Sequence, residues 1–177
     1  MENIKIEFDE ALQKLIEGNK RFVWGEVIHP NQSVEYRDEV AENPHPFAII
    51  LSCSDARVPP EIIFDCGIGD LFVVRNAGNV INNEILGSIE YAVEYFGVRL
   101  IVVLGHNRCG AVTAAVQNGN FPGHIKSLID AIQPAVANTK GKSGDLIENT
   151  INENIAMTVQ KLKSSGDVIE PFVIMVH

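Results

Sequence analysis

The chain has 177 residues, of which 46% are hydrophobic and 21% are charged, and its formal net charge is -9. This length supports one core, so we expect a single domain over residues 1–177 with an N-terminal helical arm over about 1–42. The composition excludes a disordered chain, and no apolar run is long enough to cross a bilayer. The acidic balance argues against nucleic acid and membrane partners and favours a small-molecule substrate.

The N-terminal segment and the cysteines predict the compartment. The opening MENIKIEFDEALQKL carries acids among its apolar residues and lacks the basic start and apolar core of a signal peptide, so we expect a cytoplasmic protein. The chain has three cysteines, and reducing conditions favour metal binding or catalysis over a disulfide framework for them.

The predicted elements begin with two helices. The segment FDEALQKLIEGNKRFVWG places apolar residues at helical spacing, with Asp9 as a candidate N-cap and Gly25 as the end of the helix. The following EVIHPNQSVEYRDEVAENPHP predicts a surface loop that contains a short helix capped by Ser33.

Four short apolar runs then predict strands that are covered on both faces: PFAIILSC, DLFVVRNAG, VRLIVVLGH and PFVIMV. NNEILGSIEYAVEYFG predicts a helix that ends at Gly97, and further helices are predicted from Cys109 to about Asn118 and from Leu146 to about Lys163. Strands separated by helices imply right-handed parallel crossovers. The fold class is therefore α/β, with a mainly parallel central β-sheet flanked by helices and an N-terminal helical arm.

Functional sites in such sheets lie at the carboxyl ends of the strands. One predicted strand ends at Cys53, and another ends at His106, which Cys109 follows closely. Thiolate and imidazole are ligands that Zn2+ prefers, and three protein ligands leave the fourth position open for water or substrate. Spacing alone leaves an alternative equally open, in which the cysteines are small buried hydrophobic residues and the histidine is a satisfied loop residue.

Asp55 and Arg57 follow the first of these strand ends. An arginine guanidinium can bind a carboxylate through its planar fork, keep it ionised and aim it. Such a pair would orient a nucleophile beside the metal ion. The alternative is an ion pair that only stabilises the turn.

Three blocks in order, CSDARVPPE, GDLFVVRNAGN and GHNRCGAV, resemble the signature blocks of the β-class carbonic anhydrases, and ALQKLIEGNKRFV resembles the N-terminal helix of that family. The resemblance covers most of the chain and implies one β-carbonic anhydrase-like domain. It implies that one Zn2+ per chain is held by Cys53, His106 and Cys109. The implied reaction is the reversible hydration of carbon dioxide to bicarbonate and a proton by a zinc-bound hydroxide.

The resemblance also implies roles for residues around the metal ion. Asp55, paired with Arg57, would accept a hydrogen bond from the hydroxide and stay off the zinc, which leaves water as the fourth ligand. The implied substrate-binding residues are Phe72, Ala77, Tyr91 and Gly110. Gly110 would bind bicarbonate through its backbone N–H, whereas ordinary core packing stays an alternative for Phe72 and Tyr91.

Some positions depart from the family pattern. Ala56 replaces a usual serine, and we expect little effect because its side chain should point away from the metal ion. Pro44 stands where many members carry a glutamine, and proline offers no side-chain hydrogen bond, so Gln32 is a candidate substitute. A subgroup has an inhibitory bicarbonate site built with a tryptophan and a glycine, and Ile50 and Ser52 at those positions predict that this site is missing.

Further expectations concern the rest of the chain. Cys66 belongs to no ligand spacing and is predicted to be an inert buried thiol. The candidate proton shuttles are His29, His45, His124 and His177. The resemblance implies a homodimer or a higher even homo-oligomer in which the first helix packs on the partner. Relatives run on past the last strand, so we expect a truncated or a naturally short form.

Two other functions stay open at this point. The same zinc site could hydrolyse carbonyl sulfide or carbon disulfide, because that distinction lies in the width of the cleft and access to it. The protein could also be a non-catalytic module that binds zinc or bicarbonate. The Asp55 and Arg57 pair argues against such a module, because a structural zinc favours four protein ligands.

Overall fold

The computed structural model describes residues 8–166, 169 and 173–176. In this part of the chain the strands are β1 (Ala48–Cys53), β2 (Leu71–Asn76), β3 (Ile101–Leu104) and β4 (Val173–Val176). They form one parallel sheet in the order β2-β1-β3-β4, which confirms the predicted α/β class. Pro171 and Phe172, which the sequence also assigns to the last strand, lie outside the described residues.

The helices are α1 (Phe8–Trp24), α2 (Val34–Glu42), α3 (Pro60–Ile63), α4 (Asn83–Phe96), α5 (Gly110–Gln117), α6 (Ile125–Thr139) and α7 (Leu146–Lys163). None of the helices in the described ranges combines the length and the apolar character that a bilayer span requires.

Most of the predicted helix ends are confirmed. Gly25 and Gly97 follow α1 and α4 with φ of 71° and 66°, a left-handed conformation that favours glycine. Ser33 caps α2, because its Oγ accepts the N–H of Tyr36 at 3.1 Å. The prediction of Asp9 as an N-cap is wrong, since α1 has already begun one residue earlier and Asp9 lies in its first turn.

No pattern in the sequence predicts α3 or α6. Helix α6 contains Pro134 in its interior, where proline removes a hydrogen bond and usually ends a helix. Packing against its neighbours stabilises it: Gln133 Nε2 donates to the carbonyl oxygen of Ala115 at 2.8 Å, and the hydroxyls of Thr139 and Thr150 lie 2.9 Å apart. Tertiary contacts with α5 and α7 therefore outweigh the local signal.

The sheet separates two apolar layers. Side chains alternate along a strand, so Ile49, Leu51 and Cys53 face a core shared with α4 to α7. Ala48 and Ile50 face a smaller core shared with α1 and α3. All residues of β1 are buried, and each fully buried Leu or Ile side chain contributes about 1.5–3 kcal/mol. Cys53 consequently points toward the helices that follow β2 and β3.

A buried carboxylate fastens the N-terminal arm to the domain. Asp65, between α3 and β2, has a side chain that is only 1% exposed and accepts a hydrogen bond from Arg21 Nε at 2.6 Å. It also accepts the backbone N–H groups of Ile28 and His29, at distances from 3.0 to 3.2 Å. Burial raises the pKa of Asp65, but these donors outweigh burial and leave the pKa below its usual value.

The register of the strands determines which residues meet at the carboxyl edge of the sheet. Cys53 pairs with Asn76 of β2, and Ser52 pairs with Leu104 of β3. Parallel strands end at a common edge, so Cys53 and the segments after Asn76 and Leu104 are neighbours.

Candidate metal centre

Three buried side chains meet at this edge. The Sγ atoms of Cys53 and Cys109 and the ring of His106 offer ligand atoms that all lie within 4.8 Å of one another, and the two sulfurs are 4.0 Å apart. The neighbouring residues Ser54 and Gly110 are exposed. The cluster therefore lies directly beneath the surface, within reach of a small ligand from solvent.

Different elements deliver these side chains. Cys53 is the last residue of β1, His106 follows β3, and Cys109 is the N-cap of α5 with φ -63° and ψ 120°. Gly105 leaves room for α7 before His106, because a Cβ there would lie 2.1 Å from Cδ1 and 2.7 Å from Cγ1 of the buried Ile155, whose side chain would have to shift. The strand ends thus bring together the three residues that the sequence predicts as a set.

The ring of His106 is oriented for a metal ion. Its Nδ1 lies 3.0 Å from the carbonyl oxygen of Asn107 and 3.3 Å from Arg57 Nη2, and in the tautomer that carries its proton on Nδ1 the ring donates to the nearer carbonyl oxygen. The lone pair is then on Nε2, which is buried and has no hydrogen-bond partner among the described residues. A buried nitrogen of this kind costs free energy unless it binds something. Two thiols and one free imidazole nitrogen fit Zn2+.

The two thiols of the cluster are coupled. A hydrogen bond from the thiol of Cys109 lowers the pKa of Cys53, and the same bond together with burial raises the pKa of Cys109. The backbone N–H of Gly78 also donates to Cys53 Sγ, at 3.4 Å. One thiolate therefore forms readily, and a divalent cation is the kind of group that would stabilise a second one.

Helix α7 supports the N–H···S hydrogen bond of Gly78. Asn154 is buried on α7, and its Nδ2 donates to the carbonyl oxygen of Gly78 at 2.9 Å. Gly78 has φ 78°, and a Cβ there would lie 2.8 Å from Ile132, so the position requires glycine. Sequence reasoning did not identify Gly78 or Asn154. An asparagine on the buried face of an apolar helix was the signal that could have found the second of them.

The predicted ion pair is present beside the cluster. Arg57 Nε and Nη2 donate to the two carboxylate oxygens of Asp55, both at 2.9 Å. These side-chain hydrogen bonds hold the pKa of Asp55 well below its usual value. Arg57 Nη2 also donates to the carbonyl oxygen of Arg108 at 3.2 Å, and Asp55 Oδ2 lies 4.0 Å from His106 Nε2. The carboxylate is therefore ionised and held at the edge of the cluster.

Two of the predicted substrate-binding residues lie beside the cluster. Ala77 follows Asn76, which pairs with Cys53. Gly110 begins α5 directly after Cys109. A Cβ on Gly110 would meet no atom within 4 Å, so the space at this helix N-terminus is open.

The other two predicted residues, Phe72 and Tyr91, form part of an aromatic group elsewhere. Phe72 pairs with Ile49, which precedes Cys53 by four positions, or about 13 Å at ~3.3 Å per strand residue. Phe96 links the two, with ring centroids 6.0 Å from Phe72 and 5.5 Å from Tyr91. Tyr91 is 48% exposed. A single chain therefore does not bring Phe72 to its own Cys53.

Gln32, the candidate substitute for the missing glutamine, is also remote from the cluster of its own chain. It lines an open groove of about 550 Å³ together with Cys66 and Leu71. Leu71 pairs with Ala48, which lies at the other end of β1 from Cys53.

The remaining predicted positions lie on the surface or in the core. The exposed ones are Pro44, Ala56, His29, His45 and His124. Ile50 and Ser52 are fully buried. His177 lies outside the described residues.

A parallel sheet that gathers two thiols, an imidazole and an ionised carboxylate at its strand ends defines a metal-binding α/β protein. The carbonic anhydrase family profile matches residues 48–173 of the chain. The chain is 51% identical over 130 residues to carbonic anhydrase 2 of Mycobacterium tuberculosis, an alignment that covers 71% of this chain and 63% of that protein. It is 40% identical over 163 residues to a carbonic anhydrase of Mycolicibacterium smegmatis, covering 90% of this chain and 79% of the relative.

Solved structures agree with this assignment. The β-carbonic anhydrase CcaA superposes with a TM-score of 0.70 at 27% identity, covering 93% of this chain and 88% of its own. One of two tetrameric β-carbonic anhydrases from Sordaria macrospora has the same fold, with a TM-score of 0.73 at 20% identity, covering 94% and 90%. The chain belongs to the β-class carbonic anhydrases, a zinc-using family, as the sequence blocks predict. It spans 63% of the length of the M. tuberculosis relative.

Proposed function

We propose that this protein is a zinc-dependent carbonic anhydrase that converts carbon dioxide and water reversibly to bicarbonate and a proton. The observation that carries the proposal is an ionised carboxylate at the edge of a three-ligand cluster, with Asp55 Oδ2 4.0 Å from His106 Nε2. A structural zinc site has four protein ligands, whereas three ligands leave a position open for water. The adjacent acceptor gives such a water a fixed orientation.

The zinc ion would be held by Cys53 Sγ, His106 Nε2 and Cys109 Sγ. When bound, zinc supplies a Lewis acid that lowers the pKa of a coordinated water from about 15.7 toward about 7. The hydrogen bond from His106 Nδ1 to Asn107 fixes the orientation of the imidazole, and the N–H of Gly78 offsets part of the charge on Cys53.

Asp55 orients the attacking water. Because it is ionised, it can only accept hydrogen bonds, and it receives one hydrogen of a water at the cluster, which turns a lone pair of that water toward the substrate. Arg57 keeps the carboxylate ionised and binds both of its oxygens, so that it stays beside the cluster rather than binding the ion.

Substrate and product occupy the open space beside Gly110. Ala77 supplies a small apolar surface next to Cys53, which suits a small nonpolar molecule. Bicarbonate accepts a hydrogen bond from the backbone N–H of Gly110 at the N-terminus of α5. Unpaired N–H groups and the helix dipole favour an anion there.

A second copy of the chain completes the cleft, in a homodimer or a higher even homo-oligomer. Two observations support this. Phe72 is remote from the Cys53 of its own chain, and large apolar side chains are exposed, with Trp24 at 67%, Ile28 at 64% and Tyr95 at 73%. Contact between protomers would cover such side chains and would bring the aromatic group of one protomer to the cluster of the other.

The proton leaves through solvent, with the exposed imidazoles of His29, His45 and His124 as candidate carriers. We also propose that a single domain over residues 1–177 carries the activity and that the protein acts in the cytoplasm. The acidic charge of -9 supports a small-molecule substrate over nucleic acid or membrane partners.

Stopped-flow hydration of carbon dioxide by the zinc-loaded protein tests the proposal, with Cys109→Ala as the control. Rapid turnover that is lost in the variant is expected. Assays with carbonyl sulfide and carbon disulfide run in parallel. Full zinc occupancy with turnover only on a sulfur-containing gas, or on none of the three substrates, would refute the proposal.

A further inference from the structure

Arg75 is the charged residue of β2, whose sequence is LFVVRN. In the parallel register it pairs with Ser52, the neighbour of Cys53. Its half-buried guanidinium reaches across to the chain that leaves β1. Nε donates to the carbonyl oxygen of Cys53 at 2.9 Å, and Nη2 donates to the carbonyl oxygen of Asp55 at 2.7 Å.

These two carbonyl groups belong to the residues that supply the chemistry of the site. Cys53 carries one thiol of the cluster, and Asp55 carries the carboxylate beside it. One planar guanidinium that binds both carbonyls fixes their relative position, because its N–H groups have a rigid geometry. The bonds are strong for their kind, since a charged donor roughly doubles the strength of a hydrogen bond.

Arg57 cannot supply this constraint. It lies in the same turn as Asp55, and its side chain is 51% exposed. It aligns the carboxylate and bonds to Arg108 in the loop after β3, whereas Arg75 binds the backbone of Cys53. Without Arg75, the hydrogen bonds from Arg57 to Arg108 and from Ser54 to Asn76 still hold the turn, but neither of them joins Cys53 to Asp55.

We infer that Arg75 is a positioning residue that sets the distance between the thiol of Cys53 and the carboxylate of Asp55. It acts through two backbone carbonyls and touches neither the substrate nor the ion. The inferred effect of Arg75 on metal binding does not depend on the proposed function, whereas its effect on turnover rests on that function.

The test compares the full-length variants Arg75→Gln and Arg75→Lys with the wild type and with Arg37→Gln. Arg37 is an exposed arginine of α2 that pairs with Asp38, so Arg37→Gln is the same substitution away from the cluster. Titration with Co2+, followed by the thiolate-to-cobalt charge-transfer absorption, gives the Kd and reports the ligand geometry without any turnover. Stopped-flow hydration by the zinc-loaded proteins gives kcat and KM.

In Arg75→Gln we expect the Kd for Co2+ to rise about tenfold and kcat to fall about 10- to 100-fold, the usual range for residues that support metal ligands. KM should change little, because a misplaced Asp55 weakens transition-state interactions more than substrate binding. Arg75→Lys should give intermediate values, since an ammonium group lacks the planar fork. Arg37→Gln should match the wild type.

Wild-type Kd, absorption spectrum and kcat in Arg75→Gln would overturn the inference, even if the variant melts at a lower temperature. If Arg75→Gln does not fold, Arg75→Lys decides: wild-type values refute a positioning role and intermediate values support it. A zinc-loaded wild type without hydration activity would refute the proposed function alone, because the Co2+ titration still tests Arg75.

Discussion

The metal centre and the turn around Asp65 and Cys66 are both buried, but they differ in whether their polar side-chain atoms have hydrogen-bond partners. In the metal centre, His106 Nε2 has no hydrogen-bond partner within the described ranges. At the turn, Asp65 accepts hydrogen bonds from Arg21 and from two backbone N–H groups. The thiol of Cys66 donates to the carbonyl oxygen of Phe64 at 3.4 Å. The metal centre therefore keeps a nitrogen available for a ligand, whereas the turn around Asp65 uses its polar atoms to hold the N-terminal arm.

The cysteines of the two regions show that burial alone does not decide reactivity. Cys53 is 4% exposed and Cys66 is 8% exposed. A hydrogen bond from Cys109 nevertheless lowers the pKa of Cys53, whereas burial raises the pKa of Cys66 to about 12. The neighbours of each sulfur therefore differ more than its depth: Cys53 lies beside a second thiol and an imidazole, whereas the thiol of Cys66 donates to a backbone carbonyl oxygen.

The largest expected effect separates these two cysteines directly. Cys53→Ala should lose its zinc on dialysis and show no measurable hydration of carbon dioxide, because two protein ligands hold zinc weakly. Cys66→Ala should keep one zinc per chain and wild-type turnover. Metal analysis of the dialysed proteins and stopped-flow assays check both outcomes. Equal zinc contents in the two variants would contradict the assignment of the site.

Arg57→Gln should lower turnover about 10- to 100-fold while zinc remains bound. The substitution removes the fork that binds both oxygens of Asp55 and so releases a carboxylate that lies 4.0 Å from His106 Nε2. Zinc content and kcat are the measurements. Arg57→Lys is the matched variant, because it keeps the charge without the fork and should recover only part of the activity. Wild-type kcat in Arg57→Gln would make the ion pair merely structural.

Asn154→Leu should have a smaller effect on the metal centre, because Asn154 acts indirectly. It binds the carbonyl oxygen of Gly78, and the N–H of Gly78 donates to Cys53. We expect the Kd for Co2+ to rise by less than about tenfold, with a shifted charge-transfer band as the N–H···S hydrogen bond to Cys53 weakens. The control is Asn149→Leu, on the same helix, whose Nδ2 donates to Ser143 instead. Identical spectra in the two variants would remove the role assigned to Asn154.

The metal cluster could be predicted from the sequence because a general rule locates it. Parallel strands end at one edge, so residues such as Cys53 and His106 that terminate two apolar runs must lie close together. The pairing of Asp55 with Arg57 is equally local. Arg75 was missed because its partners are backbone carbonyl groups of β1 and of the turn after it, which no residue pattern encodes.

Elements that depend on long-range packing escaped the sequence analysis. Pro134 argues against a helix in the sequence of α6, and packing against α5 and α7 stabilises that helix. Phe72 and Tyr91 were assigned to the cleft by resemblance, whereas within one chain the register of β2 places Phe72 opposite Ile49, four positions before Cys53.

Disrupting the turn around Asp65 should lower the stability of the fold without affecting the metal centre. Of the substitutions considered, Asp65→Asn should therefore have the smallest effect on metal binding. Asp65→Asn leaves Arg21 without its carboxylate and should lower the free energy of unfolding by about 1.5–3 kcal/mol. The folded-state pKa of Asp65 lies below its unfolded value of about 3.9, so the carboxylate stabilises the fold fully at neutral pH and loses this effect as the pH falls through the folded-state pKa. Urea unfolding at neutral and acidic pH should therefore show the difference between wild type and variant shrinking in acid.

Asp130→Asn is the control for this prediction, because Asp130 pairs with Lys126 on the surface and should contribute less than about 1 kcal/mol. An equal loss of stability in both variants would contradict the role of Asp65. The Kd for Co2+ should stay at the wild-type value in Asp65→Asn, since no polar contact joins the two regions in the described part of the chain. A raised Kd would mean instead that the arm and the cluster are coupled through β1, which packs against α1 and ends at Cys53.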